Sequence, residues 1–250
     1  MIAQLRSELL KLRTTRTTLG LLLGMLALIL FVVLIQGLVT PASQLSATGS
    51  PDALDRQRSM FGVGGVGTLF AAIVGIMIAT SEFRHGTIRP TLLFTPRRGV
   101  VVSAKLGAGL LAGVVFGLLA EGVAFGSGYA ALAGRGVDFL LGRHEVLLLA
   151  FGTAGTAALW AGIGVGIGAV VRSQVGAIVG LIAWLAVAEG LLLGLVPRVG
   201  RFTPGAAGQA LAGGTNSRLL SPSTGGLLLV AYMVLLGLAG AVALTRRDID

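Results

Sequence analysis

Six long apolar runs set the strongest limit on what this chain can fold into. A helix that crosses the hydrocarbon core of a bilayer needs about 20 mainly apolar residues, and each run reaches that length. The chain is 54% hydrophobic and only 12% charged, whereas a soluble domain usually carries about twice that charged fraction. The sequence therefore predicts an all-α integral membrane protein with a single transmembrane domain and spans over residues 18–39, 60–80, 101–132, 145–171, 175–196 and 225–244.

The distribution of basic residues predicts the orientation of these spans. An even number of spans puts both termini on one side, and twelve Lys and Arg residues lie on that side against seven on the other. Cytoplasmic loops carry the excess of positive charge, so we expect both termini in the cytoplasm and the protein in the cell membrane. The first run is longer than the apolar part of a cleaved signal, about 7–15 residues, and is expected to remain as a span.

The N-terminal segment, residues 1–16, has the pattern of an amphipathic helix. Its apolar residues lie on one helical face and its basic residues lie elsewhere, as in helices that lie in the membrane interface. The alternative is a charge cluster that only sets the orientation. The apolar positions on one helical face are Ile2, Leu5, Leu9 and Leu12.

Known catalytic motifs are missing from the sequence. There is no GxxxxGK[ST] phosphate-binding loop, no HExxH and no GxSxG, and the chain has no cysteine. The two histidines, His85 and His144, fall on opposite sides of the predicted membrane. We expect no catalytic site, no metal and no cofactor on this chain.

The predicted cytoplasmic loop, residues 81–100, interrupts the apolar sequence with a cluster of arginines. Within it, Thr87 can cap a short helix over residues 88–94, with Pro90 in its first turn and Pro96 after its end. Leu92, Leu93 and Phe94 on that helix suit either the lipid interface or the groove of a protein partner.

In its motifs the chain resembles the membrane subunits of type-2 ABC exporters. These subunits carry an acidic residue, a Gly-Thr pair, a proline, an arginine and a lysine in the order seen at Glu82, Gly86-Thr87, Pro96, Arg97-Arg98 and Lys105. SELLKLRTTR near the N-terminus, GIGVGIGAVVRS at the end of the fourth span and ALTRRDID at the C-terminus are also similar.

The resemblance implies a permease without its own ATPase site. A separate cytoplasmic ABC ATPase would hold ATP and Mg, a second permease copy would complete the transporter, and nucleic acid would not be a partner. Leu92, Leu93 and Phe94 would enter a cleft on the ATPase, and the arginines would meet its acidic residues or lipid phosphates. Glu82 would pair with a basic group of the ATPase or brace the loop internally. The residues assigned to ATPase coupling are Glu82, Arg84, Gly86, Thr87, Arg89, Leu92, Leu93, Phe94, Pro96, Arg97 and Arg98.

Two carboxylates fall inside predicted spans, Glu121 in the third and Glu189 in the fifth. A charge in lipid is unfavourable by about 2.5 kcal/mol or more, so such residues usually face a bundle interior or a watery cavity. They would line a translocation path for cationic or amphipathic substrates, or serve as packing groups. Glycines repeat every fourth residue at Gly109, Gly113 and Gly117, which predicts a close-packing helix face.

Several alternatives remain at this point. A lipid-bound polybasic loop explains the arginines of residues 81–100 but not the Gly-Thr break. Residues 197–224 form either short helices that dip back into the membrane, as the resemblance implies, or a mobile loop. The rival functions are an ion-coupled secondary carrier and a membrane anchor that recruits a cytoplasmic partner without transport.

Overall fold

The computed structural model describes residues 2–46, 50, 52–87, 98–214 and 216–246. Within these ranges the chain forms helices and connecting turns, and no strand is present. The helices are α1 Ile2–Thr14, α2 Arg16–Val39, α3 Ala42–Leu45, α4 Ala53–Phe61, α5 Gly67–Arg84, α6 Arg98–Ala133, α7 Arg143–Val171, α8 Gln174–Ala183, α9 Glu189–Leu195, α10 Pro197–Gly200, α11 Pro204–Leu211 and α12 Pro222–Arg246.

Six segments of the described chain are long and apolar enough to cross a membrane, which confirms the predicted fold class. A 3-10 turn, Gly62–Val66, joins α4 and α5 into the second span, and a π-helical turn, Trp184–Ala188, joins α8 and α9 into the fifth. The six spans are Arg16–Val39, Ala53–Arg84, Gly99–Ala133, Arg143–Val171, Gln174–Leu195 and Pro222–Ala243.

Close backbone contacts hold the second, third and fourth spans together. A Cβ atom on Gly75 of α5 would lie 2.0 Å from the Ala161 carbonyl oxygen of α7, and one on Gly113 of α6 would lie 2.4 Å from the Ala157 carbonyl oxygen. Only glycine allows backbones to approach so closely, and small residues drive helix packing in membranes. The predicted packing face of Gly109, Gly113 and Gly117 is confirmed, because all three meet α7.

Consecutive spans alternate in direction, so the bundle has two ends. We call the end that carries α1 and the last residues of α12 the terminal side, and the other end the opposite side. On the opposite side, the fully buried Gln57 of α4 donates from Nε2 to the Leu45 and Asp138 carbonyl oxygens at 2.9 and 2.8 Å. Its Oε1 accepts from Leu140 N–H at 2.9 Å. The helix of the second span therefore begins at Ala53, ahead of the predicted 60–80, and these bonds satisfy the polar side chain of Gln57 within it.

Residues 197–214 pack into the bundle as short helices. The α11 residues Ala206, Ala207 and Ala210 are buried. Thr156 of α7 donates from Oγ1 to the Gly208 carbonyl oxygen at 3.2 Å. Thr156 lies about 20 Å along the α7 axis from its first residue, Arg143, so α11 reaches the middle of the bundle. The described residues of this connection therefore form short packed helices, and their insertion into the membrane, which the resemblance implies, stays a prediction.

Candidate functional site

The loop between the second and third spans is described in part. Residues 88–97, and with them the predicted helix over residues 88–94, lie outside the described residues. Of the residues assigned to ATPase coupling, the structure gives contacts for Glu82, Arg84, Gly86 and Thr87 at the end of α5. Those outside the described residues are Arg89, Leu92, Leu93, Phe94, Pro96 and Arg97.

A buried ion network lies at the base of this loop. Glu82 Oε1 accepts from Lys11 Nζ of α1 at 2.7 Å, and Glu82 Oε2 lies 3.2 Å from Lys105 Nζ of α6. Lys105 Nζ also lies 3.2 Å from Glu8 Oε2 and donates to the Ile78 carbonyl oxygen at 3.1 Å. Glu8 Oε1 accepts from Lys11 Nζ at 2.8 Å. The network therefore connects α1, α5 and α6, and Glu82 has the internal contacts of a bracing residue.

The network is neutral as a whole, which makes its burial tolerable. Two carboxylates face two ammonium groups, and Glu8, Glu82 and Lys105 are almost completely buried. Buried charges persist only when they are paired and hydrogen-bonded. Partial burial disfavours the charged form of Lys11, but its hydrogen bonds to Glu8 and Glu82 outweigh this and raise the pKa of Lys11 above its ordinary value. Lys11 therefore remains charged at physiological pH.

Gly86 and Thr87 end the second span. Gly86 has a φ of 67°, in the left-handed region that favours glycine. Thr87 N–H donates to the Glu82 carbonyl oxygen at 2.9 Å, and Gly86 N–H to that of Phe83 at 3.4 Å. These are the two bonds of a Schellman motif, which closes a helix end and turns the chain away. The Gly-Thr pair thus sets the direction in which the chain leaves Glu82 and enters the loop.

Two arginines tie the neighbouring helix ends to this region. Arg84 donates from Nη1 to Gln174 Oε1 at the start of the fifth span, at 3.3 Å. Arg172, at the end of α7, donates from Nη2 to the Ala243 carbonyl oxygen of α12 at 2.7 Å. Its guanidinium also lies 5.3 Å from the ring centroid of Phe83. The terminal ends of the second, fourth, fifth and sixth spans are therefore linked beside the loop.

Glu8 and Lys11 were not predicted as site residues, and Lys105 was noted only as the last member of the family motif. One signal was available, because Glu8 is the one acidic residue of the N-terminal segment and stands three positions before Lys11. Residues at this spacing are neighbours on a helix surface. Nothing in the sequence pairs them with Lys105, which is 97 residues from Glu8.

Glu121 is enclosed at the contact between the second, third and fourth spans. Its side chain is 1% exposed, and neither carboxylate oxygen has a hydrogen-bond partner among the described residues. A Cβ atom on Gly64 would lie 1.9 Å from Glu121 Oε2, so the carboxyl group rests directly on the 3-10 turn. Thr153 of α7 is the polar side chain that interacts with it. The carboxyl group is therefore held in place by packing and not by a fixed hydrogen bond to the described residues.

Glu189 has a different environment. Its Oε1 accepts from Trp184 Nε1 at 2.6 Å and from Gly205 N–H at 2.9 Å. Gly205 is in the first turn of α11, where unpaired N–H groups and the helix dipole favour a carboxylate. Glu189 therefore fastens α11 to the fifth span. Within the described part of the chain, Glu121 and Glu189 share no contact residue. A role of either in a translocation path stays a prediction.

The fold and these sites define a multi-pass α-helical membrane protein. No group of three or more His, Cys, Asp or Glu side chains that could hold a metal ion occurs in the described part of the chain. Comparison of the chain with protein-family models and with curated proteins finds no match.

Proposed function

We propose that the chain is the permease subunit of an ATP-driven ABC exporter. It would lie in the plasma membrane with both termini in the cytoplasm. The observation that supports this best is the ion network at the base of the loop. A loop that only met lipid headgroups would not need a fixed attachment, whereas a loop that transmits movement does. Glu82 and Lys105 supply that attachment at both ends of the loop.

Movement of the loop would pass directly to the core of the bundle. The loop leaves α5 through the Schellman motif at Gly86 and returns to the bundle at α6. These two helices and α7 are packed backbone against backbone, so a displacement at their terminal ends is carried along rigid elements. A cytoplasmic ATPase that binds ATP and Mg would supply the displacement when it closes. This chain would supply the coupling loop and the path.

A second copy of the chain would complete the path. The first, fifth and sixth spans are mostly exposed in the single chain, with 17%, 11% and 17% of their most apolar stretches buried. These faces suit lipid and a second permease. Glu121 would meet cationic or amphipathic substrates, since its carboxyl group has no hydrogen-bond partner among the described residues.

The same observation on Glu121 favours a second candidate function, an ion-coupled secondary carrier. A buried carboxyl group without a fixed partner is the kind of group that carries a proton or cation across a membrane. A carrier of this class would use an ion gradient and would not need an ATPase.

Purification of the tagged chain from its native membranes, followed by reconstitution, separates these functions. We expect a co-purified subunit that hydrolyses Mg-ATP, and uptake of lipophilic cations into inverted vesicles only when ATP is present. Uptake that is driven by a proton or sodium gradient without ATP would establish the carrier. A complex that shows neither ATP hydrolysis nor uptake would favour the membrane anchor.

A further inference from the structure

The connection between the fifth and sixth spans carries three arginines and no acidic residue. Arg198, Arg201 and Arg218 lie in it, and the sequence has no Asp or Glu between Glu189 and Asp248. Glu189 is buried and engaged with Trp184 and Gly205. None of the three arginines forms an ion pair with any residue that the structure describes, and all three are exposed.

The three arginines meet at one turn of the chain. Arg198 and Arg201 stand on either side of Gly200, which packs so closely that a Cβ on it would lie 2.4 Å from Leu193 Cα. Arg218 arrives from the far end of the connection and places Nη1 3.5 Å from the Leu193 carbonyl oxygen. Residues that are distant in sequence thus bring three cationic side chains to the turn between α9 and α10, which we call the cationic cluster.

Large apolar side chains surround this cluster. Leu195, Val199 and Phe202 are 78%, 56% and 43% exposed. The Arg201 guanidinium lies 4.9 Å from the ring centroid of Phe202. Because the fifth span ends at Leu195, the cluster lies at the level where the hydrocarbon ends and the headgroups begin. Exposed apolar groups between cations suit that boundary, where the stems meet lipid and the charges meet headgroups.

We propose that Arg198, Arg201 and Arg218 form a binding site for the phosphate of an anionic phospholipid on the opposite side of the bundle. Guanidinium groups match phosphate oxygens in geometry and charge. The neighbouring Leu195, Val199 and Phe202 contact the acyl chains of the same lipid. A free phosphate would satisfy the arginines but would make no contact with these apolar side chains. The site does not depend on the proposed transport function.

Lipid-specific quenching of tryptophan fluorescence tests this site on the full chain. Of the two tryptophans, Trp160 is 2% exposed and Trp184 is 43% exposed, so Trp184 dominates the quenching by lipid. Trp184 lies about 16 Å along the helix axis from Leu195, which is close to the bilayer midplane, where the acyl chains of a lipid bound at the cluster end. The protein is reconstituted in equal phosphatidylcholine and phosphatidylglycerol, with bromine on the acyl chains of one lipid at a time. We expect brominated phosphatidylglycerol to be preferred by at least roughly fivefold, since fivefold is the effect of a single basic contact with anionic lipid and the cluster has three arginines.

The double variant R198Q/R201Q should lower that preference well below the wild-type value, because two of the three exposed charges at the cluster are gone and only Arg218 remains. The matched control, R56Q/R143Q, removes two exposed arginines on the same side but away from the cluster and should keep the preference. If R198Q/R201Q fails to fold, the quenching of the wild type is measured in 1 M salt. Salt at this concentration screens charges beyond about 3 Å and should also lower the preference for phosphatidylglycerol.

Equal quenching by both lipids in the wild type would overturn the proposal. Absence of quenching by either lipid would also overturn it, because Trp184, which lies on nearly the same helix face as Leu195, would then not face lipid. Loss of the preference on addition of inorganic phosphate at millimolar concentration would show an anion site that does not select lipid. Persistence of the preference in that buffer supports the lipid site.

Discussion

Lys105 Nζ lies 3.2 Å from Glu82 Oε2, and the two side chains are only 5% and 3% exposed. Glu82 ends the second span and Lys105 opens the third, so this contact joins the two ends of the loop between them. Glu8 and Lys11 add α1 to the same contact. A helix on the surface of the bundle is thereby connected through charge to the two spans that a moving loop would displace first.

Removal of one partner from this network should destabilise the protein more than removal of a pair. Lys105→Met leaves two buried carboxylates opposite one ammonium group, and breaking a buried pair in this way typically costs about 3 kcal/mol or more. We expect a clear fall in the midpoint of thermal unfolding in detergent. The double variant E82Q/K105M keeps the Glu8–Lys11 pair neutral and should recover much of the loss.

A double-mutant cycle measures this coupling. The singles E82Q and K105M and the double variant give the interaction energy between the two residues. If the effects of the two single variants simply add, the contact is not stabilising in the protein and the loop is not braced by it.

The loop itself should bind a partner ATPase through its apolar residues. Leu93→Asp puts a carboxylate among the side chains predicted to enter the ATPase cleft, and it should abolish co-purification of the ATPase while the permease still inserts. Ser173→Asp is the matched control. It adds the same charge on the same side, and aspartate can still cap the start of α8 as Ser173 does. Equal recovery of the ATPase with both variants would contradict docking by the loop.

The orientation can be tested with single cysteines, since the chain has none. With the termini in the cytoplasm, cysteines at Ser46 and Ser223 should react with an impermeant thiol reagent on intact cells. A cysteine at Ser103 should react only after the cells are permeabilised. Labelling of intact cells at Ser103 alone would show that the bundle is inverted.

The spans could be predicted from sequence because lipid selects for length and hydropathy, which are local properties. The close packing of Gly113 against α7 was also predictable, since a repeat of glycines every fourth residue marks one helix face. The start of the second span at Ala53 was not, because Gln57 is polar. It is buried only through bonds to Leu45, Asp138 and Leu140, which come from distant parts of the sequence.

The candidate sites also have features that the sequence predicts and features that it does not. The acidic residue and the Gly-Thr pair at the end of the second span are visible in the sequence, and the Schellman motif explains their spacing. The partners of Glu82 are not visible, because Lys11 and Lys105 belong to helices that meet only in the folded bundle. Glu121 and Glu189 look alike in sequence, yet Glu189 is bonded to the first turn of α11 and Glu121 has no hydrogen-bond partner in the described chain.

The 3-10 turn beneath Glu121 should tolerate no side chain at Gly64. A Cβ there would lie 1.9 Å from Glu121 Oε2 and 3.0 Å from Glu121 Cα, so Gly64→Ala must displace both the carboxyl group and the backbone. Overpacking of this kind typically destabilises by about 1–3 kcal/mol. The neighbouring Gly65 has nothing within 4 Å of its Cβ position, and Gly65→Ala should be neutral or slightly stabilising. Similar unfolding midpoints for the two variants in detergent would contradict the contact.

Glu121 is expected to act through its charge when a cationic substrate is present. Glu121→Gln keeps the shape of the side chain and removes the charge, and the change should leave the unfolding midpoint nearly unaltered because no hydrogen bond to the described residues is lost. Transport of lipophilic cations by the reconstituted complex, and the ATP hydrolysis that they stimulate, should fall. Basal ATP hydrolysis and recovery of the complex should not. Neutral amphipathic compounds serve as the control, since their transport does not require a carboxylate. Undiminished transport of lipophilic cations by Glu121→Gln would show that Glu121 is a packing group, because the neutral acid and the amide are close in size and shape.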